Sequence, residues 1–255
     1  RRAAPSARFV FPDGTRYAAT GRRPSDGRTR MNVFVLTTGR AGSTTFSRAC
    51  AHLANYTAAH QSRSNVIGLR RLDYPDNHIE ADNRLSWFLG RLDEAYGARA
   101  FYVHLHRDPE ATARSFLARF GSGILGAYYP GIVARNTDCE TPDKELPEDL
   151  RLALCRDYVE TVNANIRAFL RHRPNSGEVV LEDPRPGFAT VLERIGATGD
   201  LDAALGEWDV SYNANRPTAG AYELRPQERI RIAPRALPRK ILRVIRKLPR
   251  FVLEA

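Results

Sequence analysis

From Asn32 onward the chain alternates short apolar runs with stretches of helical periodicity. Val33-Phe34-Val35-Leu36 is apolar throughout, the pattern of a strand buried on both faces of a parallel sheet. Thr44 to Leu53 then carries helical spacing. Tyr56 to Ala59 and His78 to Ala81 read as two further strands. Leu85, Trp87, Phe88, Leu89 and Leu92 mark the apolar side of a helix ending near Gly97. Ala100 to Leu105 is the next strand. Pro109 opens a helix with Ala113, Phe116, Leu117 and Phe120 on its inner side. Leu150 to Arg171 is a long helix, Val179 to Leu181 a last strand, and about Gly187 to Ile195 a last helix. This alternation predicts an α/β domain: an open, mostly parallel sheet with helices on both faces.

Three segments fall outside that alternation. Residues 1–30 are rich in Arg, Pro and Gly and read as an arm, with a possible hairpin over Phe9–Tyr17 turning at Asp13-Gly14. Gly121–Pro147, with Tyr128 and Tyr129, is long for a connection, as lids and binding loops are. At 235–255, Ile241, Leu242, Ile245 and Leu248 form an apolar stripe among basic residues. The stripe predicts an amphipathic helix docked on the 31–234 domain, with peripheral contact to an anionic membrane surface as the alternative.

The length of 255 residues suits one α/β domain with insertions. No apolar run approaches the ~20 residues that span a bilayer, and no apolar leader follows the first arginines. The expected location is therefore the cytoplasm. Net charge is +10, and only Lys144, Lys240 and Lys247 are lysines among 39 basic residues. Arginine grips phosphate or sulfate with a planar fork. Codon usage in a GC-rich genome explains most of such an excess, so the polyanion argument is kept for arginines inside motifs. Cys50, Cys139 and Cys155 are too few for a disulfide framework and lack zinc spacing; three free thiols are expected.

Two motifs carry the chemistry. The first strand runs into Thr37-Thr38-Gly39-Arg40-Ala41-Gly42-Ser43-Thr44-Thr45-Phe46, a small-residue loop opening a helix. Such a loop sets backbone N–H groups and a helix N-terminus against an anion. The nucleoside-triphosphatase form of this loop needs a lysine after its last glycine, and Gly42 has none. The second motif, His106-Arg107-Asp108-Pro109, leaves the end of a strand, where ligands bind in open α/β sheets. Ser115 follows Arg107 by eight residues, two turns into the helix. Taken alone, Arg107-Asp108 is a local ion pair at a helix start, and His104 and His106 serve packing.

Together these motifs resemble those of the P-loop sulfotransferases. Arg40-Ala41-Gly42-Ser43-Thr44 matches the family's [KR]-[SAG]-G-[ST]-[ST] loop, and Arg107-Asp108-Pro109 with Ser115 matches its R-D-P…S motif. Leu181-Glu182-Asp183 resembles its later strand end. The resemblance implies a donor, 3′-phosphoadenosine-5′-phosphosulfate (PAPS), with adenosine 3′,5′-bisphosphate as product and no metal. It implies that Arg40, Ala41, Gly42, Ser43, Thr44 and Thr45 hold the 5′-phosphosulfate, and that Arg107 and Ser115 hold the 3′-phosphate. Arg40 in place of lysine, Phe46 one position late and the lack of an RKG element point to the bacterial or carbohydrate-type branch.

The implied acceptor is a small molecule or carbohydrate with a hydroxyl or amine, and no nucleic acid. Its general base comes from His60 in Ala58-Ala59-His60, with Asp82 next and Glu80 beside it. Arg40 is the catalytic cation. Trp208 to Arg216 reads as a surface loop, with closure over the nucleotide as its alternative. The rival readings are another P-loop transferase, such as a small-molecule kinase, and a basic protein that binds membranes or nucleic acid.

Overall fold

The structure, a computed structural model, describes residues 31–121, 123–133, 146–210 and 212. The expected arm at 1–30, the helix at 235–255, Cys139 and most of the 208–216 stretch lie outside the described residues.

Among the described residues five strands form one sheet: β1 (Val33–Leu36), β2 (Thr57–His60), β3 (His78–Ala81), β4 (Phe101–His106) and β5 (Ser176–Val180). Their order is β2-β3-β1-β4-β5 and every pairing is parallel. The chain thus winds to one side of β1 for β2 and β3, and to the other side for β4 and β5. A reversal of this kind leaves a crevice beyond the C-terminal end of the strand where it happens. That strand is β1, and the loop leaving it carries the first motif.

Seven α-helices are described: α1 (Ser43–Cys50), α2 (Leu89–Ala95), α3 (Pro109–Leu117), α4 (Leu125–Tyr128), α5 (Glu148–Leu170), α6 (Pro184–Arg194) and α7 (Leu201–Gly206). Alternate strand residues face opposite layers, as the period of two requires. Val33 and Val35 of β1 join Val103, Leu105 and Val179 under α1, α6 and α7, where Phe46, Phe188 and Val191 are buried. Phe34 and Leu36 join Tyr102 on the other face, under Phe116 of α3 and Tyr158, Val162 and Ile166 of α5. The unbroken apolar run at 33–36 is the consequence of a layer on each side. The predicted fold class holds.

Element ends differ from the periodicity where local chemistry overrides it. The stretch expected as one helix to Gly97 is a 3₁₀ turn at Asn83–Trp87 followed by α2. Asp82 starts that turn by accepting from the Arg84 N–H, and Phe88 breaks helical geometry at φ −119°. Strand β5 begins three residues before the apolar run, because an edge strand tolerates Ser176, Gly177 and Glu178. Leu181 lies beyond it in a turn. The segment expected as a loop over Gly121–Pro147 is helical at α4 and in a π-turn at Tyr129–Val133. Tyr128 is buried there and donates to Asp157 Oδ2 at 2.6 Å, so it braces α5. Cys50 and Cys155 are buried free thiols. No helix among the described residues is long and apolar enough to cross a membrane.

An aromatic triad fixes α1 beneath the first motif. The Phe46 ring lies 5.1 Å from Phe188 and 6.0 Å from Trp208, both edge-on. Trp208 belongs to this core, which corrects its assignment to a surface loop. Phe46→Ala should lower unfolding free energy by about 3–5 kcal/mol with an unchanged denaturant slope. A urea titration giving a loss under ~1 kcal/mol would show that α1 is not anchored through this ring.

Candidate functional site

The loop between β1 and α1 is held from below. Tyr158 of α5 donates its hydroxyl to the Thr38 carbonyl at 2.7 Å, and Ser86 donates to the Thr37 carbonyl at 3.1 Å. The Gly39 N–H is taken by Thr37 Oγ1 at 3.2 Å, and Thr38 Oγ1 donates to the Gly39 carbonyl at 2.9 Å. Gly39, Arg40 and Gly42 all have positive φ, at 85°, 59° and 91°. A side chain at Gly42 would be strained, and its Cβ would sit 2.7 Å from Leu181 Cδ1. The positive φ demands the glycine here, since the Leu181 side chain can shift but the backbone cannot. Arg40 is no glycine, and holding it there costs about 1–3 kcal/mol, a strain that collects at functional sites. Gly42 is the N-cap of α1 and offers no side chain to the first turn, which also contains no acidic residue.

The structure joins the two motifs. Arg40 Nε donates to Ser115 Oγ at 3.0 Å, across 75 residues of sequence. Partial burial pushes the Arg40 pKa down, and the charges of Arg119 and Arg107 push it further. Arg40 therefore lies near enough to Arg107 and Arg119 to feel both charges. Ser115 lies on α3, in its second turn. Arg119, one turn after Ser115, was not singled out, although i, i+4 spacing places it on the same side of that segment.

Arg107 and Asp108 do not behave as the simple pair expected of a helix start. Asp108 caps α3 alone, accepting from the Ala111 N–H at 2.7 Å. Glu182, from the third matched element, takes the Asp108 N–H at 3.1 Å and lies 3.7 Å from Arg107 Nε. The strand end after β5 thus sets the position of Arg107.

His60 ends β2, and its Nε2 lies 3.1 Å from Ser43 Oγ, the first residue of α1. With the serine hydroxyl donating, Nε2 carries the lone pair and Nδ1 the proton. The ring keeps an exposed side. Desolvation by the surrounding protein nevertheless pushes its pKa below the ordinary imidazole value; Asp82 and Glu80 oppose this and Arg84 adds to it. His60 is neutral at neutral pH and stands beside the loop.

The carboxylates of Glu80, on β3, and of Asp82, just past its end, are occupied elsewhere. Asp82 has no exposed surface, receives Arg71 Nη2 at 2.6 Å, and caps the 3₁₀ turn through the Arg84 N–H at 2.9 Å. Glu80 is equally buried and accepts from the Ser62 N–H at 2.8 Å, from the Ser62 hydroxyl, and from His78 Nε2 at 3.1 Å. Burial alone would raise the Glu80 pKa, but these hydrogen bonds outweigh it and hold the pKa below the usual value. The sheet register explains the split. Ala58 packs with the α1 layer, so His60, two residues on, faces α1. Ile79 and Ala81 also face that layer, which turns Glu80 to the opposite face. Asp82 is thus held as a buried anion by Arg71 and the start of the 3₁₀ turn. Arg71 was invisible in the sequence, since nothing local marks a surface arginine for burial. Arg84 Nη1 is buried, makes no hydrogen bond and lies 3.9 Å from Asp82 Oδ1.

The fold is α/β, and a strand–loop–helix turn of positive-φ residues stands at its topological switch point. No protein-family model and no curated protein sequence matches the chain. Among solved structures, the sulfotransferase domain from the curacin biosynthetic pathway aligns with 69% of this chain and 77% of that one. The TM-score is 0.47 and the identity 12%.

The different positions of Asp82 and His60 predict different costs of removal. Asp82→Ala leaves Arg71 buried and unpaired, and should lower stability by about 3–5 kcal/mol. His60→Ala loses one hydrogen bond at the surface and should cost about 1 kcal/mol or less. Equal losses in chemical denaturation would contradict the separate placement of the two side chains.

Proposed function

We propose that this protein transfers a sulfuryl group from PAPS to a hydroxyl or amine of a small-molecule or carbohydrate acceptor. One observation carries the reading: Arg40 of the first motif is hydrogen-bonded to Ser115 of the second. In the proposed donor a 5′-phosphosulfate and a 3′-phosphate belong to one nucleoside, so two anion sites must adjoin. The positive charge of Arg107 and Arg119 near Arg40 suits a ligand with several negative charges.

In this reading the S–O bond to the leaving phosphate breaks as an acceptor oxygen or nitrogen bonds to sulfur. Arg40 and the first-turn amides of α1 meet the charge that develops on the leaving oxygen. The cradle is fixed beforehand by Tyr158 and Ser86, so little reorganisation is needed. Arg107, steered by Glu182, and Ser115 hold the 3′-phosphate. His60 takes the acceptor proton on Nε2, exchanging the Ser43 hydroxyl for the acceptor. The transferred group carries less charge than a phosphoryl group, and the arginines suffice for it. A kinase reading has the same loop but lacks its lysine. Comparing adenosine 3′,5′-bisphosphate with ATP-Mg separates the two, because a kinase prefers the latter.

Adenosine 3′,5′-bisphosphate at saturation should raise the melting temperature, and no shift would reject the reading. Arg107→Ala should weaken its binding by more than ~1.5 kcal/mol in calorimetry, the lower end for a hydrogen bond to a charged group. Unchanged affinity would confine Arg107 to its contact with Glu182.

The base is tested by turnover. His60→Ala should lower kcat by ~10² or more with donor affinity nearly unchanged. Its pKa lies below the ordinary value, so the neutral form persists at neutral pH. The wild-type rate should fall only on the acid side, below about pH 6.5. A His60→Ala enzyme with normal kcat, or a wild-type rate flat through that range, would remove His60 from the proton transfer.

A further inference from the structure

A second cluster of chemistry lies at the other side of the sheet. His104 and His106 are two residues apart on β4, so their rings stand on one face. It is the face of Tyr102, which α5 covers. The parallel register sets Glu178 of β5 opposite His104. One nitrogen from each ring and one carboxylate oxygen of Glu178 lie within 4.8 Å of one another. His106 Nε2 is 2.7 Å from Glu178 Oε1, and the two imidazole centroids are 4.7 Å apart.

The three side chains differ in freedom. His104 is only 6% exposed, and its Nε2 lies 3.1 Å from Asn163 Oδ1 of α5. Accepting the Nε2 proton, Asn163 fixes the ring and leaves the lone pair on Nδ1, as an outer partner does for a metal-binding histidine. Burial pushes the His104 pKa down to about 4, so the ring is neutral at physiological pH. The side chains of His106 and Glu178 are 26% and 63% exposed and have room to adjust.

We propose that His104, His106 and Glu178 form a binding site for a divalent transition-metal cation of the zinc type, bridging β4 and its edge neighbour β5. Two imidazoles and one carboxylate suit zinc, cobalt(II) or nickel, with a remaining position open to water. Ligand atoms 2.0–2.2 Å from a tetrahedral zinc are about 3.3–3.5 Å apart. Closing the present triangle takes shifts of about 1 Å, small for the exposed Glu178 and His106 side chains. The cation takes the place of the hydrogen bond between His106 and Glu178. It would tie the edge strand to β4 one residue before Arg107. The inference is independent of the donor proposed above, because none of the three residues is assigned to it.

The test uses tag-free, metal-stripped full-length protein titrated with cobalt(II), whose visible d–d absorption reports coordination directly. About one equivalent per chain should develop the intense band of a four-coordinate site, and zinc(II) should displace it. His106→Ala and Glu178→Gln should each abolish the band, and Asn163→Ala should weaken cobalt binding ~10-fold or more. His52→Ala, a histidine beside Glu207 elsewhere, should leave it intact. Zinc(II) should raise the melting temperature of the wild type and not of Glu178→Gln. Absence of the band overturns the proposal. So does a band that survives in Glu178→Gln and His106→Ala, or one lost in His52→Ala.

Discussion

The site depends on two carbonyl groups. Thr37 and Thr38 follow a strand that is buried on both faces, so the loop they begin has no solvent to satisfy it from below. Ser86 and Tyr158 supply those partners from the layer beneath. A buried carbonyl left unpaired costs about 1–3 kcal/mol, so each hydroxyl removes a reason for the loop to move. What remains above is a turn of three left-handed residues and an uncapped helix start. Rigidity there matters because electrostatic stabilisation works best when the donors are oriented before the charge appears.

The same fixed loop brings positive charges together. Arg40 is half-buried, strained at φ 59°, and repelled by Arg107 and Arg119. Like charges gathered this way disfavour one another unless an anion joins them. The hydrogen bond from Arg40 to Ser115 compensates in part. A cost of this kind, placed at a switch point and on three separate elements, is what a polyanion would relieve.

The sheet and most helices were legible because both faces of β1 are covered and the apolar pattern is strong. His78–Ala81 matches its predicted strand residue for residue. The polar start of β5 was not legible, since an edge strand pairs through backbone groups that carry no side-chain signal. At the site, the two motifs were readable as local patterns, and the Arg40–Ser115 contact follows from how β1 and α3 are arranged. Arg71 and Tyr158 were not readable. Their importance lies in what they meet across the fold, an Asp82 carboxylate and a Thr38 carbonyl, and no local spacing encodes either meeting. The His104-x-His106 pair was visible, but its third member comes from a strand more than 70 residues away and only the register supplies it.

The register also decides which polar groups can act. On β2 and β3 successive side chains alternate between the α1 layer and the opposite layer, and a slip of one residue would exchange them. Glu80 points away from α1 and is used up by Ser62 and His78, while Asp82, past the strand end, is buried against Arg71. They place negative charge close to His60 without touching the loop, and Arg84 partly cancels it. The balance leaves desolvation as the leading influence on the imidazole, and so a neutral ring. A histidine on the other face would have met Arg71 and Glu80 and become one more buried ion pair. His60 faces Ser43, and this parity sets it beside the loop, where the proposed transfer would use it as base.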